Sequence, residues 1–169
     1  MAFQKELKTA IKARFPLIVV VSQEEERVEN AVIAVCEELH RPVAAWDGAD
    51  GFRQLSGSQQ NLPVGRDPLY ALEFIQEDAA EAVYVLRDFH DFWTQVKVKR
   101  KLRSTAQALK FSRKTIVVIA PKSALPEELK DTGVEFHFPL PDEVELAVAL
   151  DKLLKTPGVT ASLNEEDRA

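Results

Sequence analysis

Three groups of polar residues in this chain are spaced to do chemistry. Asp88, His90 and Asp91 crowd together, and carboxylates beside an imidazole could begin a metal site. With Ser22 they could also be drawn as a Ser–His–Asp triad. A metal site needs three or four ligands and a supporting shell, and His40 and His137 lie far off in sequence. No G-x-S-x-G turn presents Ser22 as a nucleophile. An Asp at a strand end also suits a phosphoacceptor domain. Here Glu24 and Glu25 fall two residues late for its acidic pair, and Ala120 and Pro139 stand where it needs Thr or Ser and then Lys. The chain is therefore expected to hold no catalytic, cofactor-binding or metal-binding residue.

The second group is Ser22-Gln23-Glu24-Glu25-Glu26, directly after the apolar run Leu17–Val21. A phosphate-binding loop at that place needs glycines, a lysine for the β- and γ-phosphates and a hydroxyl for Mg²⁺. Three carboxylates at a helix start would repel a triphosphate. They have a structural use instead, since Ser22 and Glu25 have capping-box spacing and the acids suit the helix dipole. The third group is Lys97, Lys99, Arg100, Lys101 and Arg103, with Lys110, Arg113 and Lys114 following without an intervening acid. This basic helix, 97–114, is the candidate partner-binding surface, for an acidic protein or for nucleic acid. Only Trp93 and Phe111 flank it as stacking residues. The structural alternative is a solvated face paired with Glu24 to Glu29.

The elements that must position these groups alternate. A first helix carries Phe3, Leu7 and Ile11 on one face and stops at Pro16. Strands are expected at Leu17–Val21, Val43–Trp46, Ala82–Leu86, Thr115–Ile119 and Val134–Phe138. The last alternates apolar and polar residues, as an edge strand does. Helices are expected behind the Ser22–Glu25 capping box, from Pro68 behind an Asp67 cap, over Gln95–Phe111, and from Pro141 to Lys155 burying Leu146, Leu150 and Leu153. The segment 47–66 reads as a long surface loop. Strands alternating with helices, three of them apolar throughout, predict an α/β three-layer sandwich with a mostly parallel five-stranded sheet.

The bulk numbers agree. A chain of 169 residues can bury one core, and 46% hydrophobic and 29% charged residues are ordinary for a globular protein. A net charge of −5 argues against bulk affinity for nucleic acid. The single cysteine, Cys36, excludes an internal disulfide and lies on an apolar helical stripe, as a buried structural thiol would. No apolar run approaches the roughly 18–20 residues that span a bilayer. The expected location is the cytoplasm or its organellar equivalent, away from membranes.

Taken in order, the strings ELKTAIKARFPLIVVVSQEEERV, DPLYALEFI, YVLRDFHDF, RKLRSTAQALKFSRKTIVVIAP and FPLPD make the chain resemble a known family. It is similar, over residues 3 to 155, to the N-terminal region of the AAA-type ATPases of cyanobacteria and algal plastids named as a hypothetical chloroplast reading frame. The resemblance implies a non-catalytic regulatory or assembly domain, 1–156, that mediates protein interaction. It implies a linker, 157–169, toward a AAA+ module absent from this chain. ATP and Mg²⁺ would belong to that module. The partners implied are the module itself and neighbouring subunits of an oligomer, with a nucleic-acid adaptor role through helix 97–114 as the alternative. The Ser162–Glu165 capping box would open a helix toward the module. The domain reads as a degenerate P-loop, AAA-like fold lacking Walker A and B, with Arg87 and Phe89 standing where the paired acids of a Walker B would be. By the same resemblance the expected strand order is 5-1-4-3-2.

Overall fold

A computed structural model describes residues 2–58, 61–123 and 125–158. The elements run α1 (Ala2–Lys12), β1 (Leu17–Val21), α2 (Glu25–Glu38), β2 (Val43–Asp47), β3 (Gly51–Ser56), α3 (Pro68–Glu77), β4 (Val83–Arg87), α4 (Phe89–Phe92), α5 (Val96–Leu109), β5 (Thr115–Ala120), a 3-10 turn (Glu127–Leu129), β6 (Gly133–His137) and α6 (Glu143–Leu154). They divide into two compact units, Met1–Phe138 and Pro139–Ala169.

The first unit holds a six-stranded sheet in the order β3-β2-β4-β5-β1-β6. Every neighbouring pair is parallel except β2–β3. The five parallel strands follow the expected order 5-1-4-3-2, and β6 lies at an edge as its alternation predicts. The expected count of five is corrected by β3, which lies inside the segment read as a loop. Asp47 makes the connection. Its Oδ1 accepts the N–H groups of Ala49 (2.9 Å) and Asp50 (2.7 Å), an Asx turn that reverses the chain. Gly51 follows at φ +76°, and a Cβ there would come within 2.8 Å of the Gly65 carbonyl oxygen.

Because side chains alternate along a strand, the sheet feeds two cores. Ile18, Val20, Val43, Ala45, Val83, Val85, Val117 and Ile119 face α1 and α2. Leu17, Val19, Ala44, Trp46, Tyr84, Leu86, Ile116 and Val118 face α3 and α5. The hairpin β2–β3 serves both, with Phe52 against the second core and Leu55 against the first. Phe3 of α1 meets the edge strand and its end through Phe136 (6.4 Å between centroids) and Phe138 (4.7 Å). No described helix is long and apolar enough to cross a membrane.

Of the helix caps expected from sequence within the described residues, one forms and one does not. Asp67 caps α3 by accepting from Leu69 N and Tyr70 N. Asp142 and Glu145 form a capping box at α6. The Ser22–Glu25 box does not form. The helix begins two residues later, with Glu24 at the cap, and Ser22 Oγ accepts the Glu24 N–H (3.0 Å) in a tight turn. Helix α6 also departs from expectation, since it buries none of its residues, and Leu146 and Leu153 are exposed. Helical periodicity reports an apolar stripe, not what covers it. Ser162 and Glu165 lie outside the described residues.

Cys36 is fully buried among the α1–α2 core residues, and burial pushes its thiol up to about 12, with Arg41 opposing. The folded chain is expected to leave Ellman's reagent unreacted at pH 8 and to release one thiol equivalent on unfolding in guanidinium. Rapid labelling of the native chain would contradict this packing.

Candidate functional site

In open parallel sheets ligands bind outside the carboxyl ends of the strands. At that end of β1, β4 and β5 lies a cleft of about 570 Å³, lined by Ser22, Gln23, Glu24, Glu25, Glu26, Arg27, Asp88, Ile119 and Pro121. Beside it a smaller cleft of about 350 Å³ includes Asp47, Asp50, Arg87, Asp88 and Asp91. Carboxylates dominate both linings.

The charged groups at this end are tied to each other. Arg87, the last residue of β4, donates through Nε to Glu29 Oε1 (2.7 Å) and through Nη2 to Oε2 (2.6 Å), a bidentate pair. It also lies 3.6 Å from Glu25. Arg53 of β3 donates to the same Glu29 Oε1 at 3.0 Å. Glu29 is 5% exposed, so its charge rests on these two guanidiniums. The hydrogen bond to Glu29 raises the Arg87 pKa, and burial opposes it in part. Arg27 pairs with Glu24 and lies over the Phe138 ring, 4.8 Å from its centroid.

Asp88 takes the left-handed conformation at φ +52° and starts α4 without capping it through its side chain. His90 is largely buried. Its Nε2 lies 3.5 Å from Asp91 Oδ1, and its Nδ1 has no hydrogen-bond partner in the described residues. Among those residues no group of three or more His, Cys, Asp or Glu is arranged to hold a metal ion. Ser22 Oγ accepts the Glu24 N–H of its own turn, and among the described residues no hydrogen bond links Ser22, His90 and Asp88 as a triad would need.

The basic residues separate into two sets. Lys99 pairs with Glu128 (3.1 Å), and Lys101 donates to Gln76 Oε1 (3.2 Å). Lys97 and Arg100 are exposed and have no ion-pair partner among the described residues. Glu128, beside Lys99 and Arg103, has a lowered pKa; its own backbone hydrogen bond is the largest cause. Thus Glu24, Glu25 and Glu29 serve Arg27, Arg53 and Arg87 rather than α5. Lys114 does not belong to this surface. It is buried, and its Nζ donates to the carbonyls of Ile75 (2.6 Å), Gln76 (2.8 Å) and Asp78 (2.7 Å). Those are carbonyls that the end of α3 leaves without N–H partners, at the negative end of its dipole. Burial lowers the Lys114 pKa, with Asp78 opposing.

Sequence reasoning did not find the roles of Glu29, Arg53 and Lys114. Arg87 was legible as a departure at a strand end, and a buried acid one turn inside α2 was the missing half.

A solved structure described as a DNA replication initiation factor superposes with a TM-score of 0.59 at 10% identity, covering 91% of this chain and 49% of that one. The AMPPCP-bound DnaA of Aquifex aeolicus gives 0.56 at 11%, covering 97% and 52%. The fold is therefore that of these α/β proteins, and at such identity the likeness concerns the fold alone. In sequence, residues 3–138 match the family described as the N-terminal domain of SpoVK-like AAA ATPases, and the chain belongs to that family. The ycf46 AAA domain-containing protein of Guillardia theta is 37% identical over 161 residues, covering 94% of this chain and 31% of that protein. The chain thus spans about a third of the length of that relative.

Two stability measurements test the ion pairs described above. Arg87→Met leaves Glu29 buried with one cation and is expected to cost about 2–4 kcal/mol in urea unfolding, with Glu29→Gln costing less. Equal, additive losses for single and double variants would show that the two groups are not coupled. Lys114→Met strands three carbonyls and is expected to cost about 2–3 kcal/mol, with the loss shared by α3 in amide exchange.

Proposed function

We propose that this chain is a non-catalytic regulatory or assembly domain of a AAA-type ATPase, acting through protein contacts. The parent protein would bind ATP and Mg²⁺ in its own AAA+ module, outside these residues. That module and neighbouring subunits of an oligomer would be the partners, in the cytoplasm or its organellar equivalent. Family membership supports the parent activity, and the charge at the sheet's carboxyl end supports the absence of turnover here.

The observation that carries the reading is the Arg87–Glu29–Arg53 cluster with its rim of Glu24, Glu25, Glu26 and Asp88. A triphosphate needs free cations and open backbone N–H groups. Here the guanidiniums nearest the strand ends are already neutralised. The loop between β1 and α2 offers carboxylates instead of a lysine, and like charges at that spacing repel. This fits a domain that keeps the architecture of nucleotide binding while its Walker-like positions have been reassigned to holding the fold.

Isothermal titration calorimetry of the 169-residue chain with ATP and Mg²⁺ is expected to give no heat of binding. Its melting temperature is expected to stay constant as the nucleotide concentration rises. Micromolar binding would refute the proposal.

A further inference from the structure

We infer that the outward face of α5 is a docking surface for an acidic polypeptide segment with apolar residues at its ends. This rests on the reading of the chain as an interaction domain and names the surface and the partner's chemistry.

The first observation is where the cations sit. Lys97, Lys99, Arg100 and Lys101 all fall in the opening turns of α5, where the helix dipole is positive. That turn carries no acidic residue, and Gln95 at the cap position makes no side-chain hydrogen bond to it. Like charge at an uncapped helix start costs stability, and an incoming carboxylate relieves both defects at once. Lys97 and Arg100, with Ser104, succeed one another at i, i+3 and i+7, opposite the buried Val98, Leu102, Thr105 and Leu109. Both cations are without an ion-pair partner among the described residues, so no internal pair must be broken.

The second observation is apolar. Val96 and Phe111, at the two ends of this face, are 79% and 90% exposed. They lie roughly 20 Å apart at 1.5 Å per residue. Cations framed by exposed apolar side chains match a polypeptide with acids in the middle and apolar residues outside. Phosphates along a nucleic-acid backbone would use the cations and leave Val96 without a counterpart. Trp93, which could have stacked on a base, is buried. The chain's net charge of −5 further favours a local, protein-sized contact over nucleic acid.

The test uses the full chain and a fluorescein-labelled helical peptide of roughly 16 residues, glutamate-rich with a leucine at each end, read by anisotropy at low and at physiological salt. Binding is expected to be micromolar and to weaken as salt rises. Lys97→Glu with Arg100→Glu is expected to reduce affinity by roughly tenfold or more with no loss of thermal stability. Val96→Ser with Phe111→Ser is expected to reduce it several-fold with the salt dependence kept. The inference is overturned if the peptide does not bind at low salt, or if binding ignores both pairs of substitutions. It is equally overturned if a single-stranded oligonucleotide of equal charge binds as tightly. ATP binding at the sheet end would sink the non-catalytic reading and leave these titrations unchanged, so the two failures are distinct.

Discussion

One buried carboxylate organises the working end of this sheet. Glu29 projects from α2 and is shared between Arg87 at the end of β4 and Arg53 in β3, two strands that lie on either side of β2. A bidentate guanidinium–carboxylate pair fixes distance and orientation together. The pair therefore sets how α2 lies across three strands, at the end where related sheets receive ligands. Ion pairs of this kind add little net stability over a well-packed apolar substitute, and their use is in excluding other arrangements. A lone Glu29 in that place would be intolerable, so both arginines are bound to it by necessity.

The two faces of the sheet do different jobs. Toward α1 and α2 the strands present mainly Val, Ile and Ala, which pack densely with few rotamers. Toward α3 and α5 they present rings. Trp46 meets Phe89 and Phe92 at 5.7 Å, and Phe52 meets Phe74 at 5.0 Å in edge geometry. Trp46 Nε1 also donates to the Gly65 carbonyl at 2.9 Å, so the segment leading into α3 is fastened to the hairpin strand.

The central parallel strands were legible because they are runs of apolar residues, as in Leu17–Val21 and Ile116–Ala120, and β6 because it alternates as an edge strand does. Helix α3 was legible because Asp67-Pro68 carries its own start. Strand β3 was hidden by composition: Gly51, Arg53, Gln54 and Ser56 read as loop, and only the tertiary pairing to Glu29 gives Arg53 its place. The basic run shows the same blindness. Lys97 and Lys114 are identical letters in one charged stretch, yet one is solvated and the other buried on three carbonyls. Charge along a sequence says nothing of depth, because depth is decided by the neighbour that α3 brings. The acidic loop after β1 was legible in sign and wrong in detail, since the turn at Ser22 displaced the cap by two residues, to Glu24.

The grip of Lys114 on the tail of α3 has a consequence for variation among relatives. The helix is held at both ends, at its last turn by Lys114 and just before its start by the Gly65 carbonyl on Trp46. The spacing from Gly65 through α3 to Lys114 should therefore stay constant among relatives of this domain.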